Sequence, residues 1–556
     1  MIHAKFISSM EKCFLDSKLN EFEEMTSDIC FKNEKYFFQL VWSCDETDNL
    51  LVTPVIRGSA AEYVKIYEVV SVPSEMPVLP RSDSDCVRRT PGLYPDMLRK
   101  PLYRGRVRNN YGYTRALMFE FDPRGNVSGT AEFTVEFLGN RSDFDKSLET
   151  TDEVLWRGEF TVEVIDANLP KQKMMFSQWF YADCIADYYR VPVFSDEHFE
   201  ICENFIKKGV EYGRNMWLLP LLTYSLDTYP GGERTTVQLI DVYKNGSEYT
   251  FGYEKLDRWL DMCARCGVEY YEVTHFYSQW GVLHTPKVMA YENGQYKRIF
   301  GWDTDSLSEE YVTFLRAFIT GFLEHMRARG EDKKCWFHIS DEPQKEHLER
   351  YKAAKANIAD LLKGYHIMDA LSEYEFYAEG VVETPVPATQ AIKPFLENNV
   401  PDLWCYYCGG HVKGVSNALF SMPLARTRFI GTQFFAYDIT GFLNWGYNFY
   451  NDQWSYDSVD PLHTSDGSLF VPSGDTYAVY PMKDGSAAPS IRMMAFLQGL
   501  QDCRAMEFCA GLYSKEYVLA EIEKICGKVV FDKCVSSSRE MNRIRARVYE
   551  LIKAKI

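Results

Sequence analysis

Trp336-Phe-His-Ile-Ser-Asp-Glu-Pro343 is the stretch on which the fold turns. With Cys335 before it, the apolar run Cys335–Ile339 reads as a buried strand. Pro343 has no N–H to give to a ladder, so the strand stops there and the following residues are expected to start a helix. Asp341 and Glu342 therefore sit as neighbours at a strand's C-terminal edge. Like charges on a partly desolvated rim are poor for folding, because repulsion raises one pKa and leaves the other group ionised. An alternative reading is a helix cap, with Asp341 accepting backbone N–H groups and Glu342 near the positive end of the helix dipole.

Outward from this stretch, residues from about 172 alternate between short apolar runs and amphipathic helices. Strands are expected at Met174–Tyr181, Asn215–Leu222, Val268–His275, Lys334–Asp341, His366–Ser372, Val381–Pro387, Asp402–Cys408 and Gly441–Gly446. The helical stretches between them include Glu197–Tyr212, Tyr253–Cys266, Ser308–Arg329 and Lys345–Leu362. That count and length predict a (β/α)8 TIM-like barrel, with Pro385 and Pro387 weakening the sixth strand. The acidic pair then falls at the end of strand four, on the face where barrel sites are built.

Upstream the period changes to two. Ala131, Phe133, Val135 and Phe137 share one face of a strand, and Phe160, Val162 and Val164 share one face of another. Further strands are expected at Tyr36–Ser43, Leu50–Ile56, Tyr63–Val70 and Ala116–Phe121, with a turn at 122–126. An antiparallel β-sandwich is the natural closure. The fold class is thus α/β: a TIM-like barrel preceded by an antiparallel β-sandwich. The expected domains are 1–168, 169–510 and 511–556, divided at the linker Asp166-Ala-Asn-Leu-Pro170. The last is expected to be a helical segment packed on the barrel.

The formal charge is −18, from 61 basic and 79 acidic residues, which argues against a nucleic-acid partner. The 84 aromatic residues (11 Trp, 37 Tyr, 36 Phe) serve either a bulky core or the stacking of sugar rings. The N-terminus lacks a signal-peptide pattern and no run approaches a membrane span, so a cytoplasmic protein without membrane insertion is expected. Fifteen scattered cysteines fit reduced thiols. Cys263/Cys266 and Cys405/Cys408 resemble two halves of a zinc site, but one pair lies on a helix and the other in a strand, so no metal is expected. Three glycosylation sequons, at Asn126, Asn140 and Asn245, are read as chance matches.

Glycoside hydrolysis needs the acid-and-anion split that Asp341 and Glu342 suggest. Strand neighbours project to different sides and cannot flank a glycosidic bond as two opposed carboxyls do. The pair suits substrate-assisted catalysis, in which the sugar's own 2-acetamido oxygen attacks the anomeric carbon. Asp341 would orient the acetamido N–H, and Glu342 would protonate the leaving oxygen and then deprotonate water. The run Phe337–Pro343 resembles glycoside hydrolase family 123 and the related uncharacterised "glycoside hydrolase domain" family. Gly441-Phe-Leu-Asn-Trp-Gly-Tyr-Asn448 is similar to that group's eighth strand, and Arg492–Met506 to the helix after it. The resemblance covers approximately residues 160–510. It implies a barrel behind a β-sandwich and a retaining β-N-acetylgalactosaminidase; no cofactor is expected. Asp341 matches the acetamido-orienting position and Glu342 the acid/base.

Tyr181, His275, Tyr406 and Trp445 lie near the ends of strands one, three, seven and eight and are candidate sugar contacts, or else caps of the barrel core. Trp404 and Asn444 are weaker candidates, since alternate strand positions point outward. Two other readings stay open. One is a carbohydrate-binding barrel without turnover. The other is a hydrolase of sugars lacking the acetamido group, with Glu373 as nucleophile.

Overall fold

In the computed structural model, which describes residues 1–45, 49–102, 105–139 and 153–556, the chain forms two units. The first contains 1–172, 412–436 and 488–556. Its period-two segments lie in two five-stranded sheets, ordered Ile2–Ser8, Tyr36–Cys44, Arg115–Phe121, Val64–Ser74, Gly92–Arg99 and Ser27–Phe31, Val154–Ile165, Gly129–Gly139, Asn49–Arg57, Val107–Asn110. Within each sheet the pairing is antiparallel except where Val154–Ile165 meets Ser27–Phe31. Phe160 stands opposite Phe133 and Val162 opposite Ala131, so the alternating apolar face is one surface. Across the gap Phe38 stacks on Phe160 with centroids 4.4 Å apart. Ile2–Ser8, in which no strand was expected, pairs with Tyr36–Cys44. Asn140, one of the three sequon positions, lies outside the described residues.

The expected domain boundaries do not coincide with these units. Residues 412–436 and 488–510, expected in the barrel, group with the sheets of the first unit, as does 511–556, expected to pack on the barrel. Buried ion pairs hold these segments there: Arg492 to Asp96 (2.8 and 2.9 Å), Arg428 to Asp502 (2.6 and 2.8 Å) and Arg545 to Glu34 (3.1 Å). An arginine that brings its own carboxylate can be buried where an unpaired one cannot.

The second unit, 173–411 and 437–487, is a nearly closed barrel of eight parallel strands of the TIM type. Barrel strands one to eight are Met175–Gln178, Met216–Leu219, Tyr270–Val273, Cys335–Phe337, His366–Ala370, Thr384–Val386, Trp404–Tyr406 and Gly441–Asn444. Strand one pairs with two and with eight. Between six and seven the contact is a single bridge, Ala388 to Tyr406, made through the Pro387 carbonyl and the Thr389 N–H. The prolines of strand six have no N–H to offer, which is why the ladder is broken there. The helices Asp196–Glu211, Glu254–Cys266 and Glu309–Arg329 fall within a residue or so of their expected ends, and the latter two stop at left-handed Gly267 and Gly330. A four-stranded sheet built from Asp241–Asn245, Glu248–Gly252, Val288–Glu292 and Gln295–Phe300 has no counterpart in the sequence reading.

Candidate active site

Barrel strand four ends at Phe337, and three residues then lead to the acidic pair. Asp369, in strand five, holds this lead-in straight. Its carboxylate accepts the N–H groups of Ile339 (3.1 Å) and Ser340 (3.5 Å), the ring of His338 at 3.0 Å, and the Tyr351 hydroxyl. The other nitrogen of His338 lies 2.5 Å from Glu272, which also accepts from Trp179 Nε1 (2.6 Å) and Ser177. Burial by itself disfavours an imidazolium. The two acids outweigh it and raise His338 to about 10.

Helix capping does not account for the pair. No helix starts at Pro343; the segment turns, and a short 3-10 turn, Lys345–His347, begins after Gln344, which caps it. Asp341 is buried and its Oδ2 accepts from Gln279 Nε2 at 2.8 Å. Glu342 has a left-handed backbone (φ +44°), uncommon and costly for a residue with a Cβ. That turn breaks the strand's alternation, so both carboxyls line one cavity rather than opposite faces. Glu342 Oε1 accepts from the Tyr406 hydroxyl (2.7 Å) and Oε2 from Trp280 Nε1 (3.4 Å). The neighbours thus have separate donors.

The cavity, about 210 Å³, opens at the C-terminal ends of the strands. Trp179 follows strand one, Asp227 strand two, Trp280 strand three and the acidic pair strand four; Tyr406 ends strand seven, and Trp445 follows strand eight. Asp227 and Asp475 add two more carboxyls, and Trp445 Nε1 donates to Asp475 at 3.0 Å. Burial raises Asp341 well above the usual carboxylate range, with Glu342 and then Asp227 adding to it. Asp227 is raised to about 7, chiefly by burial; Arg234 opposes this, and Glu342 and Asp475 add to it. Both shifts favour the neutral acid, so these two carboxyls keep their protons to higher pH than free ones do.

Of the six residues singled out from sequence, Asp341, Glu342, Tyr406 and Trp445 meet in the cavity. Tyr181 and His275 are not on its wall. Tyr181 is fully buried between Tyr224, Phe449 and Arg234, a core position. His275 lies flat against His338, centroids 4.1 Å apart, with Trp179 edge-on. Its own nitrogens have no hydrogen-bond partner among the described residues, and burial followed by the charge of His338 keeps it neutral. Trp404 is buried in the barrel and Asn444 bonds to Gln178, so neither lines the cavity. Glu373 is exposed and does not line this cavity. His275, His338 and Asp369 are close enough to share a metal ion, but both nitrogens of His338 are already engaged by acids and the group does not fit one. Sequence reading missed Asp227, Gln279, Trp280 and Asp475. The first lies in the loop Ser225-Leu-Asp-Thr-Tyr-Pro-Gly-Gly232, where an acid in a long loop after a barrel strand was the available signal.

Carboxylates and aromatic rings meeting at the C-terminal mouth of a parallel barrel are the arrangement that glycoside hydrolysis requires. The model of the glycoside hydrolase 123 catalytic domain matches residues 179–509, more than half of the chain, and the chain belongs to that family. Among solved structures it is similar to a family 123 glycoside hydrolase from Clostridium perfringens, at 13% identity and a TM-score of 0.72, covering 100% of this chain and 98% of that one. A putative beta-galactosidase from Bacteroides fragilis (9% identity, TM-score 0.29, 79% and 55% covered) matches far more loosely. So does a family 5 mannosidase from Rhizomucor miehei (12%, 0.34, 61% and 98%). No curated protein matches by sequence.

Proposed function

We propose that this glycoside hydrolase removes a terminal β-linked 2-acetamido sugar, N-acetylgalactosamine favoured, with retention and by substrate-assisted catalysis. The observation that carries the reading is the placement of two adjacent carboxyls in one cavity on separate donors, Gln279 for Asp341 and Tyr406 for Glu342. In the first step the acetamido oxygen attacks the anomeric carbon as the glycosidic C–O bond breaks. Glu342 gives its proton to the leaving oxygen, and an oxazolinium forms beside ionised Asp341, which accepts the acetamido N–H. In the second step Glu342 takes a proton from water, the water oxygen bonds to the anomeric carbon, and the ring opens to the acetamide. The positive charge that develops favours the ionised form of Asp341 despite its burial, so that side chain helps most in the transition state.

The substrate class is a glycan or glycoconjugate. The Clostridium perfringens relative is described in terms of glycolipid glycan hydrolysis, which makes a glycolipid headgroup a suitable first test. No helix among the described residues is long and apolar enough to cross a membrane. A cytoplasmic location and action without a cofactor complete the reading.

Glu342→Gln is expected to lower kcat on an unactivated glycoside by about 10³-fold or more, with a smaller loss on a nitrophenyl glycoside. Asp341→Asn should fall on both substrates, since it acts on the acetamido group rather than the leaving group. Unchanged turnover in either variant, or a covalently trapped glycosyl-enzyme, would overturn the mechanism. Inhibition by a thiazoline analogue supports it.

A further inference from the structure

We infer that a ledge of aromatic rings running outward from Glu342 is the binding site for a pyranose of the leaving glycan, so the substrate is an oligosaccharide chain rather than a sugar on a small aglycone. This rests on the reading of Glu342 as the group that protonates the leaving oxygen, because the leaving part of the substrate must then lie on its side of the cavity. Trp280 marks that side, with its indole N–H directed at Glu342 Oε2. From Trp280 the aromatic surface continues. Trp454 stands edge-on to Trp280, centroids 5.0 Å apart at 82°. The Trp454 carbonyl accepts the Tyr229 N–H at 3.0 Å, and Tyr229 stacks on Tyr456 at 4.3 Å and 14°. Tyr456 ends the row with 61% of its surface exposed.

Scattered exposed aromatics call for no explanation. These four are joined to one another and to the cavity, and the loops that carry them are shaped at a cost. Trp280, Trp454, Ser455 and Asp227 all have positive φ, between +49° and +65°, where side-chain-bearing residues are disfavoured. The Ser455 hydroxyl ties that loop to the Asp227 carbonyl at 2.7 Å. Strain of this kind collects where a surface is held for a ligand. The ligand chemistry follows from the surface. Aromatic faces take the apolar C–H faces of a pyranose, and the hydroxyl edges meet polar groups on the same loop, among them the exposed Asp457.

The test compares an oligosaccharide ending in the acetamido sugar with the nitrophenyl glycoside of that sugar alone, using Tyr456→Ala and Trp454→Ala. Each variant should lose about 3- to 10-fold in kcat/KM on the oligosaccharide, the range of an aromatic stacking contact, and stay within about twofold on the nitrophenyl glycoside. Tyr456 is exposed enough that its removal leaves the fold intact. Equal losses on both substrates, or no loss on the oligosaccharide, overturn the ledge. If the unaltered enzyme turns over neither substrate, the proposed activity fails, and the ledge is then judged on binding. Tryptophan fluorescence should report oligosaccharide binding to the parent protein, weakened by Tyr456→Ala; equal binding overturns the inference.

Discussion

Asp227 costs stability where it stands. Its carboxyl is raised from 3.8 to about 7, mainly by burial, so from about pH 4 to 7 the unfolded chain gives up a proton that the folded one keeps. The folded state loses ground across that window and keeps the full penalty above it. Asp227→Asn should therefore raise the unfolding temperature at pH 8 and leave it unchanged near pH 4, measured by calorimetry at both. The same change removes one of the charges that raise Asp341, so the acid limb of kcat/KM should move to lower pH. An unmoved limb would detach Asp227 from the chemistry. At this scale the acidic pair was legible because two adjacent acids before a proline, at the end of an apolar run, have few structural uses. Tyr406 and Trp445 were legible as aromatics at strand ends. Tyr181 and His275 met the same criterion and lie in the core, since sequence position does not reveal which strand-end ring faces inward. The turn at Glu342 was invisible, because nothing in a Glu-Pro dipeptide announces a positive φ.

Among the elements, the eighth strand shows how closely the cavity wall depends on one missing side chain. Gly446 follows that strand, and a Cβ there would meet the Asp475 carbonyl oxygen at 2.0 Å and Thr476 backbone at 2.9 Å. Those atoms are backbone and have no rotamer to change. Gly446→Ala should cost about 1–3 kcal/mol in denaturant unfolding, the range for overpacking. It should also raise KM, because the displaced segment carries Asp475, the acceptor of Trp445 Nε1. Wild-type stability and KM in this variant would contradict the close approach. Elements with strong periodicity were read correctly: each of the eight barrel strands falls inside its expected range, and alternation placed Phe133 and Phe160 in one core. The four-stranded sheet at 241–300 escaped because its strands are only five or six residues long and one of them, Gln295–Phe300, is mostly exposed, so no long apolar alternation marks it.

For the molecule as a whole, the path of the chain was the least legible feature. Composition and period changes locate a boundary near residue 170, and the units do divide there. They cannot show that the chain returns to the first unit at 412 and again at 488, because long-range ion pairs decide this and leave no local pattern. Arg545 makes the point quantitative. It is nearly inaccessible, pairs with Asp28 at 2.9 Å and Glu34 at 3.1 Å, and Glu34 also accepts from Tyr549 at 2.7 Å. Removing one partner of a buried pair leaves a desolvated charge behind, at about 3–5 kcal/mol. Arg545→Met should lower unfolding free energy by that amount in urea titrations. Lys553→Met, which breaks a solvent-exposed pair with Glu163, should cost no more than about 1 kcal/mol. Equal effects from the two substitutions would mean that the last helix is an appendage, whereas the expected gap makes it part of the first unit's core.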